Sequence, residues 1–410
     1  MAGPGQYEGY KTAERRGSNR VLALIALLSS LALVQSAQAQ TFTVLHSFEA
    51  SFSFDGEYPD GSLIADSSGN LYGSTYWGGD YNFGAGFGTL FTVNASTGYL
   101  QMYEFTGTSG GNFVDGANPF AGLVAGKSNM LFGTTYDGGA SGYGIVFTFN
   151  LDGKEETVLY NFAGGKDGAF PTGALIVDAN GNLYGTTAEG GRFGLGTIFK
   201  AGTAGKKNIL HSFAGGATDG QYPLYTSLVR DAAGDLYGVT EEGGTAGVGT
   251  LYELSHDGTF KLLHSFAGGA LDGCHPFGTP FIDKNGNIYG TTFGCGSSSL
   301  GTVWRVQKDG TETLLHNFAG GKKDGAEPLS GVLGDAAGNL YGNTELGGAS
   351  NEGTVYAINA KGKLSLLHSF AGSDGAFPVG GMVREAQGTL YGTTFYGGDF
   401  YFGTVWQLTK

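Results

Sequence analysis

The 410-residue sequence predicts an all-β protein assembled from one repeated unit, and three observations indicate this. Glycine contributes 78 residues and aromatic residues make up 13% of the chain, whereas charged residues reach only 14%. This composition is too aromatic for a disordered linker and too rich in glycine for a helical protein. The other two observations are two short phrases that each recur seven times.

The first phrase is Leu-Tyr-Gly-Thr-Thr or a close variant, with successive spacings of 60, 52, 53, 52, 52 and 50 residues. Its aromatic residues are Tyr72, Phe132, Tyr184, Tyr237, Tyr289, Tyr341 and Tyr391. The second phrase is Asp-Gly-x-x-Pro, which begins at Asp55, Asp115, Asp167, Asp219, Asp272, Asp324 and Asp374. A fixed period of this length is the signature of a repeat architecture.

Each unit divides into four strand-like segments, which in the third unit are Ala174–Val177, Asn182–Thr187, Gly196–Lys200 and Asn208–Phe213. Apolar residues occupy both alternating faces of these segments, as expected for sheets that are covered on both sides. No segment has helical periodicity. Seven units of four antiparallel strands predict a seven-bladed β-propeller.

The two ends of the chain predict how the ring closes. Residues 42–48 correspond to the fourth strand of the other units, and Gly403–Leu408 corresponds to a third strand. We therefore expect the N-terminal segment to complete the last blade, with Val44 near Val405, because closure removes two open sheet edges. An open solenoid is the alternative, and it would have no use for a divided blade.

Residues 1–39 predict a signal peptide, which leaves 40–410 as the propeller. Three arginines between positions 15 and 20 precede an apolar run over 21–34, and Ala37-Gln38-Ala39 resembles a cleavage site. We expect a secreted or periplasmic monomer without a membrane span or anchor after cleavage. The formal charge of −14 argues against nucleic acid as a partner, because that interaction needs clustered Lys and Arg.

The repeated phrases resemble the bacterial gloeo/verruco tandem repeat, often called the GloVer repeat. A clear instance is Leu183–Gly191 followed by Gly196–Phe199 and Leu210–Phe213. The resemblance covers essentially the whole mature chain. It implies a secreted bacterial repeat protein, often attached to the cell surface, and it carries no established activity or catalytic residues.

We label the four segments of each unit a to d from the channel axis outward. The loops between segments b and c and between segments d and a are predicted to share one face of the propeller. They vary more than the tight turns of the other face, and function is usually carried on loops that a rigid scaffold holds. On this face we predict a ligand-binding set of Tyr76, Trp77, Tyr136, Asp137, Glu189, Phe395 and Tyr396. Aromatic rings beside carboxylates suit sugars, so the predicted function is a binding module for glycans or cell-envelope material. An equally supported alternative is that the aromatics only cover the loops.

A carbohydrate-active or lyase-type enzyme on the same face is a second alternative, and a purely structural repeat protein is a third. No catalytic motif is present; the best acid–base candidates are His275, Glu241 and Glu242. A single loop histidine is more often a solvated side chain. An unrepeated cluster of convergent polar groups at the channel mouth would favour the enzyme, whereas a shallow aromatic strip would favour binding.

The seven aspartates of the second phrase predict a ring on the loop face. Calcium binding would suit carboxylates, and calcium is the only cofactor that the sequence suggests, but a structural Asx-turn is favoured because a site usually breaks symmetry. The recurring His46, His211, His264, His316 and His368 fall in outer strands, one per blade, and are expected to pack or hydrogen-bond rather than to form a metal cluster. Cys274 and Cys295 predict a disulfide in an oxidising compartment.

Overall fold

The computed structural model describes residues 40–49, 55–79, 86–107, 115–203 and 205–409, and these form a seven-bladed β-propeller of four-stranded antiparallel sheets. The predicted fold class is therefore confirmed. The one helical element in the described residues is a 3-10 turn at Gly165–Asp167. The predicted signal peptide, residues 1–39, lies outside the described residues.

Strands a to d of each blade follow one another from the channel outward. Blade 1 contains Ile64–Ala65, Leu71–Thr75, Thr89–Asn94 and Gly98–Glu104. Blade 2 contains Val124–Ala125, Met130–Thr135, Ile145–Asn150 and Glu155–Asn161. Blade 3 contains Ile176–Val177, Leu183–Thr187, Thr197–Ala201 and Lys207–Ser212. Blade 4 contains Val229–Arg230, Leu236–Thr240, Thr250–Leu254 and Phe260–Ser265.

Blade 5 contains Gly273–Ile282, Ile288–Cys295, Thr302–Val306 and Glu312–Asn317. Blade 6 contains Leu333–Gly334, Leu340–Thr344, Thr354–Ile358 and Leu364–Ser369. Blade 7 contains Val383–Arg384, Leu390–Thr394, Thr404–Thr409 and, as its outer strand, Thr41–Ser47. The four segments predicted for the third unit agree with the strands of blade 3 to within two residues.

In four blades the hairpin of strands a and b continues into a short two-stranded ladder at the loop face. These loop-face hairpins pair Gly56–Glu57 with Trp77–Gly78, Gly116–Ala117 with Asp137–Gly138, Gly220–Gln221 with Glu242–Gly243, and Gly325–Ala326 with Leu346–Gly347. In blade 5 the corresponding residues join the main sheet, which explains the length of its first two strands. Blades 3 and 7 keep single bridges, Ala169 to Glu189 and Ala376 to Tyr396.

The ring closes as the sequence predicted. Strand Thr41–Ser47 pairs with Thr404–Thr409 in the sheet of blade 7. The backbone N–H of Phe48 then donates to the carbonyl of Gly403 at 3.0 Å. An open solenoid would leave both of these edges unpaired.

The hydrophobic core lies between blades rather than inside them. One cluster combines Ile198 and Phe213 of blade 3 with Leu236 and Tyr252 of blade 4, and every other cluster joins two neighbouring blades in the same way. Because a single blade buries neither of its faces alone, the ring is the cooperative unit.

A glycine–proline contact recurs at every seam between blades. In each blade the glycine that precedes strand c packs against the ring of the next blade's Asp-Gly-x-x-Pro proline. The seven pairs are Gly88–Pro119, Gly144–Pro171, Gly196–Pro223, Gly249–Pro276, Gly301–Pro328, Gly353–Pro378 and Gly403–Pro59. A Cβ atom on Gly301 would lie 2.6 Å from Cδ of Pro328. This contact ties the glycine of one unit to the proline phrase of the next.

The residue before each of these prolines has a left-handed backbone, with φ between 53° and 58°, although none is glycine. The seven are Tyr58, Asn118, Phe170, Tyr222, His275, Glu327 and Phe377. This conformation is costly, the more so before proline. Each N–H donates across the seam, as in the 2.9 Å bond from Glu327 to the carbonyl of Leu300. The seam hydrogen bonds hold these residues in the strained conformation.

We expect Gly301→Ala to destabilise the protein by about 2–4 kcal/mol, because the new methyl group would overlap both Pro328 across the seam and the carbonyl oxygen of Thr292 in its own blade. Gly258→Ala is the matched control: Gly258 has φ 92°, against 91° for Gly301, but no atom lies within 4 Å of the position that its new methyl group would take. It should cost only about 1 kcal/mol, the backbone contribution alone. Denaturant titration measures both, and equal losses would rule out the seam contact as the cause.

Candidate functional site

A channel of about 1230 Å³ opens among the seven blades. Residues of all seven blades line it, from the segment that follows each repeat proline and from the end of strand b. The volume exceeds that of typical sites for small ligands. The channel can therefore admit more than one ring of a carbohydrate.

Aromatic side chains form a continuous arc along the channel wall. Tyr76 contacts Phe120 at 5.7 Å between ring centres, and Phe120 contacts Tyr225 at 4.9 Å. Tyr225 lies 5.6 Å from Phe277, which lies 5.9 Å from Phe293. We call these five residues the aromatic arc. It spans blades 1, 2, 4 and 5, so it presents a stacking surface longer than one side chain.

Tyr225 reaches the arc because blade 4 carries one extra residue. The leucine that precedes strand a, Leu228, comes five positions after Pro223, whereas the equivalent Leu63 comes four positions after Pro59. The additional residue places Tyr225 at φ 51°, and its side chain remains 42% exposed. Its backbone N–H is held by the hydroxyl of Thr172 at 3.1 Å.

Three carboxyl groups face the same channel: Asp60 occurs in one unit only, whereas Glu241 and Glu345 occupy the same repeat position in blades 4 and 6. Asp60 follows Pro59 at a position that is apolar or threonine in the other units, and only 9% of it is exposed. Burial, with a smaller contribution from Glu345, raises the pKa of Asp60 to about 8. Burial also raises the pKa of Glu345 and of Glu241.

The raised pKa values determine which hydrogen bonds the channel wall can make. At neutral pH Asp60 is protonated and can donate a hydrogen bond as well as accept one. No lysine or arginine lines the channel in the part of the chain that the structure describes. The wall therefore disfavours anionic ligands and offers hydrogen bonds to neutral ones.

Two of the three predicted acid–base residues meet in the channel. His275 and Glu241 both line it, and the charge of His275 partly offsets the burial that raises the pKa of Glu241. The Nδ1 atom of His275 is buried without a hydrogen-bond partner. Glu242 instead lies in the hairpin outside the channel lining, where its carboxylate accepts a hydrogen bond from Gln221.

The predicted ligand-binding set is divided by the structure. Tyr76, Phe395 and Tyr396 line the channel, with Phe395 and Tyr396 in ring contact at 4.8 Å. The remaining four are not among the channel-lining residues of the described chain. Trp77 and Asp137 pair with Glu57 and Ala117 in the loop-face hairpins, and Glu189 forms the single bridge to Ala169. Tyr136 stacks on Phe170 at 4.8 Å.

Sequence reasoning missed Asp60, Glu345 and Tyr225 as members of the site. Asp60 could have been found by aligning the residue that follows each repeat proline, since it is the only charged one. The one-residue insertion in blade 4 is a sequence signal that could have identified Tyr225. Glu345 occupies the varied position after strand b, but only the structure shows that this position faces the channel.

The ring aspartates are engaged with donors from the protein. Asp219 accepts from the N–H groups of Ala214 and Gly220 at 3.0 and 2.7 Å and from Nε2 of His211 at 3.1 Å. The corresponding donor is His46, His316 or His368 in three other units and Tyr103 or Tyr160 in two, whereas His264 lies 3.5 Å from Asp272. None of the seven aspartates lines the channel. Their contacts fasten the outer strand to the loop that follows it.

The structure joins Cys274 and Cys295 in a disulfide, with Cα atoms 5.3 Å apart. It links the first two strands of blade 5 at the loop face, directly beside His275. In the described residues no helix has the length and apolarity needed to cross a membrane.

Fold and channel together define a closed repeat propeller whose candidate site lies on its axis. The chain belongs to the Gloeobacter/Verrucomicrobia repeat family, whose model matches residues 33–225, 88–279 and 225–410. The resemblance of the repeated phrases is thereby confirmed. No curated protein matches the sequence.

Solved structures share the fold. The extracellular domain of a protein described as a hybrid two-component system from B. thetaiotaomicron matches with a TM-score of 0.54 and 14% identity, over 86% of this chain and 40% of that one. An oligogalacturonate lyase in complex with manganese matches with a TM-score of 0.56 and 13% identity, over 90% of this chain and 96% of that one. An oligogalacturonate lyase from Vibrio parahaemolyticus matches with a TM-score of 0.53 and 11% identity, over 90% of this chain and 97% of that one. At these identities the likeness concerns the fold alone.

We expect the stability of the wild type to fall relative to Asp60→Asn as pH rises. Below about pH 4 the carboxyl is protonated in both folded and unfolded chains, so pH has no differential effect. Between about 4 and 8 the folded protein holds a proton that the unfolded chain has lost, so stability decreases by up to about 1.4 kcal/mol per pH unit. Denaturant titrations of both proteins at pH 4, 6 and 8 measure this; parallel pH profiles would contradict it.

Proposed function

We propose that the protein is an exported binding module that takes an uncharged glycan into the mouth of its channel. The observation that carries this proposal is the aromatic arc beside the carboxyl groups of Asp60, Glu241 and Glu345. Sugar rings present C–H faces that pack on aromatic rings, and their hydroxyls both donate and accept hydrogen bonds. A protonated Asp60 and the carboxyls of Glu241 and Glu345 offer both kinds of partner.

The charge of the channel narrows the ligand class. An anionic sugar such as a uronate would meet carboxyl groups and no lysine or arginine in the described lining. Placing like charges together in a poorly hydrated site costs several kcal/mol. We therefore favour neutral saccharides, which differ in charge from the substrate named for the lyases that share the fold.

The setting of the protein is part of the same proposal. We propose that it acts outside the cytoplasm as a monomer, on glycans or cell-envelope material. The predicted signal sequence supports this, and so does the extracellular origin of a structural neighbour. The disulfide beside the site suits an oxidising compartment.

Tyr225→Ala should weaken binding of a neutral glycan, selected on an array of neutral and acidic glycans, by about tenfold, because it removes the central ring of the arc. Phe193→Ala is the control: Phe193 is 52% exposed on the loop of blade 3 and is not in the channel lining. Calorimetric titration measures both affinities. Retained affinity in Tyr225→Ala, or an array that binds only acidic glycans, would refute the proposal.

A glycoside-cleaving enzyme is the second candidate, and one observation favours it. Asp60, Glu241, Glu345 and His275 form an unrepeated cluster of polar groups in the channel, and Nδ1 of His275 lacks a partner. Carboxyl groups with raised pKa values are suited to general acid catalysis. In this role Glu241 would protonate the leaving oxygen, and His275 would accept a proton from the water that attacks the anomeric carbon.

If the channel cleaves its ligand, Glu241→Gln should reduce the release of reducing ends by at least about 100-fold while binding persists. Glu242→Gln is the matched control, since it changes the adjacent carboxylate outside the channel. Colorimetric detection of reducing ends over hours, with the bound glycan as substrate, distinguishes the two functions. Binding without release in the wild type would support the module and eliminate the enzyme.

A further inference from the structure

The outer rim of the propeller carries one three-residue set at each seam between blades. Each set consists of the His or Tyr near the end of strand d, the following ring aspartate, and the residue at the start of strand d in the next blade. By sequence position the seven rim sets are His46–Asp55–Tyr99, Tyr103–Asp115–Glu156, Tyr160–Asp167–Lys207, His211–Asp219–Phe260, His264–Asp272–Glu312, His316–Asp324–Leu364 and His368–Asp374–Phe42.

The third member of most rim sets is uncharged or complementary to the aspartate. Tyr99, Phe260 and Phe42 stack on their histidines, with ring centres 4.0, 3.9 and 3.6 Å apart. Lys207 pairs with the Asp167 carboxylate at 2.9 Å. Only Glu156 and Glu312 add a second carboxylate, and only the set with Glu312 also contains an imidazole. One seam of seven therefore combines the ligand types that bind divalent metals.

The geometry of this set departs from that of its counterparts. Nε2 of the histidine lies 2.9 to 3.1 Å from the aspartate in the four other histidine sets. In this set Nε2 of His264 lies 3.5 Å from Asp272 and 3.9 Å from Glu312. Nε2 of His264 and Oε1 of Glu312 are both buried without a hydrogen-bond partner. One ligand atom from each of the three side chains lies within 4.8 Å of the others.

The distances from Nε2 of His264 to the two carboxylates are long for hydrogen bonds but typical of two ligands to one metal ion. With metal–ligand bonds of about 2.0–2.2 Å and tetrahedral angles, two ligand atoms of a zinc ion lie ~3.4 Å apart. An imidazole nitrogen that has lost its hydrogen bond and is screened from water needs another partner. A cation between the three side chains would supply that partner for both unpaired atoms.

We propose that His264, Asp272 and Glu312 form a zinc-class site that links blades 4 and 5 at the rim. One imidazole and two carboxylates favour zinc over calcium, which takes oxygen ligands. Three protein ligands leave one tetrahedral position for water. The site is distinct from the channel, and its existence does not depend on the proposed function.

The electrostatics of the rim agree with this assignment. Burial, followed by the charge of Asp272, raises the pKa of Glu312 to about 7. The charge of His264 offsets part of this effect, and a bound cation would offset more of it. In the set of blades 2 and 3 the protein supplies that charge itself through Lys207.

The test uses untagged, purified protein, because a histidine tag would bind zinc. After dialysis against EDTA and removal of the chelator, zinc chloride is titrated at pH ~7.5 by calorimetry, and bound metal is measured by mass spectrometry. We expect about one zinc ion per chain and a rise in Tm of ~2–4 °C at saturation. If neither zinc binding nor a rise in Tm is observed, the proposal is overturned. This is the result expected if Glu312 is simply protonated and no metal binds.

Matched variants locate the binding. His264→Ala and Glu312→Gln should each remove the zinc-dependent rise in Tm and lower zinc occupancy at least about tenfold. His316→Ala is the control: it removes a histidine from the next seam, where Leu364 replaces the glutamate, and it should bind zinc like the wild type. Leu364→Glu should add a second zinc ion per chain. If His264→Ala fails to fold, Glu312→Gln decides, and zinc occupancy that survives in it would overturn the assignment.

Discussion

The contact between the glycine of one blade and the proline of the next is the constraint on which the rest of the structure depends. It recurs at all seven seams, and the last instance, Gly403 against Pro59, closes the ring. The same seam carries the hydrophobic core, because every cluster joins two blades. It also positions the site. The residue before each proline is fixed by a hydrogen bond across the seam, and in six of the seven units the residue after the proline lines the channel.

The fold was predictable because both recurring phrases contribute to the contacts between blades: the leucine of the first lies in the interblade core, and the proline of the second packs on the seam glycine. A glycine and a proline that must touch across seven interfaces recur with little change, and so do the apolar strands that cover each other. The divided blade was predictable for a similar reason: strand 41–47 has the pattern of an outer strand and no neighbour of its own. The site was only partly predictable. Tyr76 and Trp77 are adjacent in sequence, but strand alternation sends one into the channel and the other to the hairpin.

Departures from the sevenfold pattern separate positions with special chemistry from positions that build the fold. The ring aspartates make the same kind of backbone contact in each unit, as expected of a structural role. Asp60, Tyr225 and His275 occur once each, and all three meet in the channel. The recurring histidines do lie one per blade, as their spacing predicts. That spacing does not show which carboxylates of the neighbouring blade they face, and those carboxylates are what make the His264 rim set unlike the others.

The channel holds groups that destabilise a protein locally. Asp60 is buried among apolar residues, Tyr225 and His275 have left-handed backbones, and Nδ1 of His275 is unpaired. Such groups persist only where the surroundings over-determine their conformation. In this protein the seams fix these conformations, because each blade is held by two neighbouring blades. The loops therefore need no stabilising contacts of their own. Because the stabilising contacts lie between blades and the polar groups lie on the axis, a change in the channel lining can alter what the channel binds without removing the contacts that close the ring.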